Sequence, residues 1–156
     1  MEGFQIWFEP HLSEAVKRPP TYRQYEHEEF PSVTTDAAVV KTVIGDGSPV
    51  SIVVDARMWD VTVKPGRTYV QPLRKDYTLT ALAIRGGGTV GAGGGSDADK
   101  SPVQAAATVT AFGHKDFLVL EPEGSPEAAF TAQDDAELRL ILIEVPARVN
   151  YPLYRK

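Results

Sequence analysis

The chain has 156 residues, enough for one domain that buries most of its unfolded surface in a single core. Its 16 Lys and Arg against 21 Asp and Glu give a net charge of −5, with no basic block dense enough to follow a phosphate backbone, so nucleic acid is not an expected partner. There are no cysteines, which removes disulfides, thiolate metal sites and cysteine nucleophiles together and fits a cytoplasmic setting.

The first nine residues, MEGFQIWFE, carry an acid where an export signal needs a base, and their apolar run is too short to span a bilayer, so no membrane partner is expected. Residues 4–8 read as a strand. Ser13 is placed to cap a short helix over 13–18 that Pro19 and Pro20 would end. The rest of the opening, rich in Pro, Tyr, Glu and Thr, reads as an extended linker. The chain is therefore divided into a strand-and-linker arm, 1–36, and a barrel, 37–156.

Within the barrel, 12 prolines and 13 glycines over the whole chain break the sequence into short alternating runs, the pattern of an all-β fold. Strands are expected at 38–44, 50–54, 77–85, 105–111 and 116–120. MWDVTV puts Trp59, Val61 and Val63 on one face, and Lys64-Pro65-Gly66-Arg67 supplies the following turn, Pro fixing φ and Gly accepting a positive φ. Residues 86–102, GGGTVGAGGGSDADKSP, read as a flexible loop. ELRLILIEV places Leu138, Leu140 and Leu142 on one face, but Ile141 and Ile143 make the other face apolar too, which requires cover on both sides.

The chemistry-bearing residues are sparse. Gly86, Gly88 and Gly91 satisfy G-x-G-x-x-G, but no helix follows to turn its amides on a phosphate, so the pattern reads as a hairpin loop. His11, His27 and His114 share no ligand spacing, and no nucleophile motif is present, so no catalytic residue is assigned. Aromatic residues crowd the arm, which must pack on this barrel or on another subunit.

The stretch PGRTYVQPLRKDYTLTALAIRGG resembles the first motif of metal-binding cupins, G-x5-H-x-H-x(3-4)-E-x6-G. Counted from Gly66, Pro72 and Arg74 fall at the histidine positions, Leu79 at the glutamate position and Gly86 at the closing glycine. HKDFLVLEPEG resembles the second motif, again without its histidine. GFQIWFEPHLSEAVKRPPTYRQY is similar to the junction of pirin-like proteins, with Gly3, Gln5, Ile6, Trp7, Pro20, Tyr22 and Gln24 carrying the match. The closing strand and the tail VNYPLYRK are similar to that family's C-terminal end.

The resemblance implies the second barrel of a pirin-like or quercetinase-like bicupin: a double-stranded β-helix of two antiparallel sheets with no metal and no cofactor, whose metal-bearing counterpart would lie in a separate cupin. It implies a structural, assembly or binding module. The arm would form a homodimer through Phe4, Ile6, Trp7, Phe8, Tyr22 and Tyr25, or meet a cupin partner protein. The alternative is a small-molecule or metal-independent enzymatic cupin in which Gln71, Arg74 and Tyr77 meet an anionic ligand, with Arg74 as the anchor. A core of Trp59, Leu79, Leu82, Ile84 and Phe117 would accompany the first, a polar pocket walled by Arg74 the second.

Overall fold

The period-two alternation of the sequence is realised in ten strands of the computed structural model, which describes residues 3–92, 109–121 and 126–149. They are β1 (Ser32–Thr34), β2 (Ala38–Ile44), β3 (Arg57–Val63), β4 (Thr68–Pro72), β5 (Tyr77–Arg85), β6 (Gly88–Ala92), β7 (Thr110–Phe112), β8 (Phe117–Leu120), β9 (Glu127–Ala132) and β10 (Leu138–Pro146). A six-stranded sheet runs β1-β2-β3-β10-β5-β8 and a four-stranded sheet runs β4-β9-β6-β7, with antiparallel pairing throughout. The two face each other as a jelly roll. Among the described residues, no helix is long and apolar enough to cross a membrane.

The space between the sheets is filled by side chains. Val61 and Val63 of β3, Leu79, Ala81 and Ala83 of β5, and Leu138, Leu140 and Leu142 of β10 meet Val90, Phe112, Ala128, Phe130 and Ala132 of the smaller sheet. Phe130 is fully buried, and Phe112 meets it edge-on at 6.4 Å between ring centroids. Its burial contributes about 2–3 kcal/mol of transfer free energy. Trp59 packs against this layer, as the alternation of β3 predicts. Leu82 and Ile84 do not: an even number cannot share the face of Leu79 on a strand of period two, and both lie on the outer face. Phe117, paired across from Leu82, is also turned outward and 61% exposed.

That outer face carries a second apolar layer. Ile44, Met58 and Ile141 are buried there, packed by Leu82, Ile84 and Ile143 of the sheet and by Phe8, Val50 and Ile52 from outside it. The chain thus covers the second apolar face of β10 with its own irregular segments. Residues 4–8 and 50–54, expected as strands, are that cover and form no ladder. Pro49 withholds an amide at the start of the second segment, and neither segment lies in a sheet.

The expected helix starts and ends earlier, at α1 (Leu12–Ala15), and the His11 ring, accepting the Ser13 amide at 3.2 Å, provides the cap instead of Ser13. Within the expected arm, β1 joins the larger sheet through β2. The turn before β4 has Gly66 at φ +64, and Arg67 N–H closes it on Lys64 O at 3.0 Å.

The glycine run at 86–88 is a strand approach, not a free loop. Gly86 has φ +70, and a Cβ on Gly88 would stand 2.0 Å from Thr131 O. Gly86 and Gly88 therefore serve close backbone approach, to Glu137 O and to Thr131 O of the adjacent strand β9, and β6 occupies the first part of the span read as flexible. The remainder of that span, residues 105–108 of an expected strand, Pro122–Gly124 and the tail lie outside the described residues.

Candidate functional site

The β4–β5 connection, Leu73 to Asp76, carries Arg74 to one end of the barrel. It is a tight turn: Asp76 takes a left-handed φ of +64, Tyr77 N–H bonds Arg74 O at 3.2 Å, and Ala147 N–H bonds Asp76 O at 2.9 Å. The turn is thereby tied to the chain just past β10.

β10 supplies the partner. Glu144 stands on the face of Leu138, Leu140 and Leu142, is 2% exposed, and lies across from Leu79 of β5 and Arg57 of β3. An isolated carboxylate there would be costly, so its bonds matter. Arg74 donates twice, from its backbone N–H to Oε1 at 3.1 Å and from Nε to Oε2 at 2.5 Å. The other guanidinium nitrogens reach Asp55 Oδ1 at 3.4 and 3.5 Å. The guanidinium carbon lies 3.6 Å from the Tyr77 ring centroid, and the Tyr77 hydroxyl donates to Asp55 Oδ2.

Protonation follows from these contacts. The Tyr77 hydrogen bond, and then the Arg74 charge, hold the Asp55 carboxyl below its ordinary range despite partial desolvation. The same hydrogen bond needs the phenol proton and raises Tyr77. Desolvation pulls Arg74 down, but the hydrogen bond and charge of Glu144, with Asp55, outweigh it and leave the guanidinium above its ordinary value. The cluster thus sets one guanidinium between the carboxyl groups of Glu144 and Asp55.

The structure brings together two of the three residues expected to bind a ligand. Arg74 and Tyr77 are in contact, whereas Gln71 bonds elsewhere. Gln71 is 5% exposed on the inner face of β4, accepting the Tyr69 hydroxyl at 2.6 Å and donating to Pro72 O at 3.1 Å. Burial pushes Tyr69 up to about 12. Sequence reasoning missed Glu144 and Asp55. Glu144 had a signal, because it continues the parity of Leu138, Leu140 and Leu142 and so places a charge on an apolar face; Asp55 had none.

The positions where cupin ligands would fall do not fit a metal. Pro72 offers no donor side chain, Leu79 is 1% exposed within the apolar core, and Arg74 already places a cation on Glu144. Among the described residues, no group of three or more His, Cys, Asp or Glu converges. The histidines stand apart: His11 caps α1, His27 meets Lys41, and His114 is exposed in the turn before β8.

The arm residues divide by role. Phe8 packs on the outer apolar layer, and Phe4 lines hollows beside Met58, Ile84 and Ile141. Tyr25 meets Phe30 edge-on at 6.2 Å. Ile6, Trp7 and Tyr22 are exposed, the last two by 85% and 86%.

No protein-family model matches the chain, and no curated protein does. Solved structures do. Quercetin 2,3-dioxygenase from Acinetobacter baumannii superimposes with a TM-score of 0.68 at 14% identity, over 92% of this chain and 45% of that one. A cupin-2 domain from Rhodospirillum rubrum gives 0.53 at 13% identity, over 90% and 84%. Ectoine synthase from P. lautus gives 0.50 at 14%, over 90% and 78%. The fold is thus that of the cupin barrel, and the chain spans under half the length of the dioxygenase. Such identities speak to fold, and one fold hosts many functions.

Proposed function

We propose that this chain is a non-catalytic, metal-free cupin module, the structural half of a pirin-like or quercetinase-like arrangement, that assembles through its N-terminal arm. One observation carries the reading: the positions at which a cupin would present metal ligands serve folding here. Leu79 is a core residue, and Arg74 is bound to Glu144 and Asp55. A metal site in this arrangement would belong to a separate cupin.

The arm supports an assembly role. Phe8 fixes it to the barrel, while Trp7 and Ile6 remain turned to solvent beside Phe4. Exposed aromatic residues on an anchored segment suit a partner surface, and a second copy of this chain is the simplest partner. For the alternative, an anion gripped by Arg74, the ligand would have to displace two carboxylates from the guanidinium.

The test combines elemental analysis of the purified chain, a flavonol turnover assay and sedimentation at micromolar concentration. Absence of stoichiometric metal and of turnover, with a concentration-dependent dimer, is the expected outcome. Stoichiometric iron or manganese with flavonol consumption would refute the module reading; a strict monomer would refute the homodimer.

A further inference from the structure

The barrel mouth has the composition of a receptor for a cation. Around one planar guanidinium stand a buried carboxylate, a second carboxylate and the face of an aromatic ring: Glu144, Asp55 and Tyr77. Carboxylates pair with guanidinium through parallel N–H bonds, and a ring face attracts its positive charge. We propose that this mouth is a cation-recognition site which the chain fills with its own Arg74, and that it takes a small alkylguanidinium ion when that side chain is withdrawn.

The walls do not depend on the guanidinium. Tyr77 is bonded to Asp55 directly, through its hydroxyl. Glu144 Oε1 is held by the Arg74 backbone amide, which any residue at that position retains. The turn itself is fastened by Tyr77 N–H on Arg74 O and by Ala147 N–H on Asp76 O. Truncating Arg74 beyond Cβ therefore removes the occupant and leaves the receptor. It also leaves Glu144, 2% exposed, without its counter-charge, and this is the driving force for recruiting another cation.

Two features of Arg74 fit an occupant as well as a strut. Its side chain is 28% exposed, so the site opens to solvent, and the contacts of its terminal nitrogens to Asp55, at 3.4 and 3.5 Å, are long. The firm bonds are on the stem side, to Glu144. An incoming guanidinium would meet the same two carboxylates and the same ring. The inference concerns the sign of the ligand and stands apart from the assembly role proposed above.

The experiment is chemical rescue of the full-length Arg74→Ala chain, with melting temperature read against methylguanidinium concentration. The variant is expected to gain about 4 °C at tenfold the dissociation constant and to rise with the logarithm of concentration beyond it. The wild type, its site filled, is expected not to respond, and Arg74→Ala with Glu144→Gln is expected to lose the response. Uncharged urea at the same concentrations controls for shape. An equal response in wild type and variant, a response retained by the double variant, or rescue by urea would overturn the proposal. If Arg74→Ala does not fold alone, refolding yield with methylguanidinium against urea becomes the readout; selective recovery supports the site, and no recovery overturns it.

Discussion

Glu144 lies directly across the β5–β10 ladder from Leu79, yet its carboxylate is bonded to both the backbone and the side chain of Arg74. One residue of that pair belongs to the apolar core, and the other closes the end of it. The two members of the ion pair are unequally buried, Glu144 at 2% and the Arg74 side chain at 28% exposure. Removing either should therefore have unequal effects. Arg74→Ala leaves a buried charge and is expected to destabilise by about 3 kcal/mol; Glu144→Gln leaves a guanidinium that still has water, Asp55 and Tyr77, and is expected to cost about 1–2 kcal/mol. Urea unfolding of both variants and of the double variant measures the asymmetry and the coupling. The reverse order would show that the pair is not organised around Glu144.

The alkaline limb of stability should report Tyr69. Its folded-state pKa is raised to about 12 from 10.0 by burial, so the folded state holds the phenol proton after the unfolded chain has lost it. The sign follows: the contribution is complete below pH 10 and is lost as pH rises toward 12, because ionisation then favours the unfolded state. Allowing for the exposed part of the ring, the loss is roughly 2 kcal/mol. Tyr69→Phe should make this limb shallower, and phenolate absorbance should show a late-titrating tyrosine that this variant lacks. A mutant limb as steep as the wild type's would assign the effect elsewhere.

Glycines of similar appearance in the sequence should differ sharply in tolerance. A Cβ at Gly88 would lie 2.0 Å from Thr131 O, whereas at Gly113 the nearest atom is Asp116 Oδ2 at 3.9 Å. Backbone cannot yield as a flexible side chain can. Gly88→Ala is expected to cost several kcal/mol, on the order of 3, and Gly113→Ala less than about 1. Comparable melting temperatures for the two variants would mean that β6 and β9 can separate without penalty.

These glycines also explain what could be read from the sequence. β5 and β10 were legible because Leu79, Ala81, Leu140 and Leu142 alternate with residues that must face the other way. β6 was not, since GGGTVGA has the composition of a loop, and Gly88 reflects a close approach to β9 that no local pattern encodes. β9 was hidden for a related reason: Ala128 and Ala132 are small to make room beside Phe130, and alanine carries little strand signal. The opposite error arose at 4–8 and 50–54, where apolar residues resemble strands but pack onto a sheet without entering it. At the site, Arg74 and Tyr77 drew notice as a charge and an aromatic near a turn. Their partner Glu144 sits 70 residues away in sequence, and pairing of that range follows from sheet topology alone.

Anchoring and association within the arm should separate by mutation. Phe8 packs on the layer formed by Met58 and Ile141, whereas its neighbour Trp7 is 85% exposed. Phe8→Ser should lower the stability of the single subunit by about 1–3 kcal/mol through lost apolar burial. Trp7→Ser should leave that stability within about 0.5 kcal/mol and instead weaken self-association by tenfold or more, because an exposed tryptophan suits the centre of an interface. Sedimentation across a concentration series, beside urea unfolding at a concentration that favours monomer, distinguishes the two effects. Tryptophan emission adds a third view: Trp59 is partly buried within the subunit, so a blue shift that grows with concentration and vanishes in Trp7→Ser would place Trp7 in the contact. Unchanged association in Trp7→Ser would remove the arm from the proposed dimer and direct the search to the exposed outer strand bearing Phe117 and Val119.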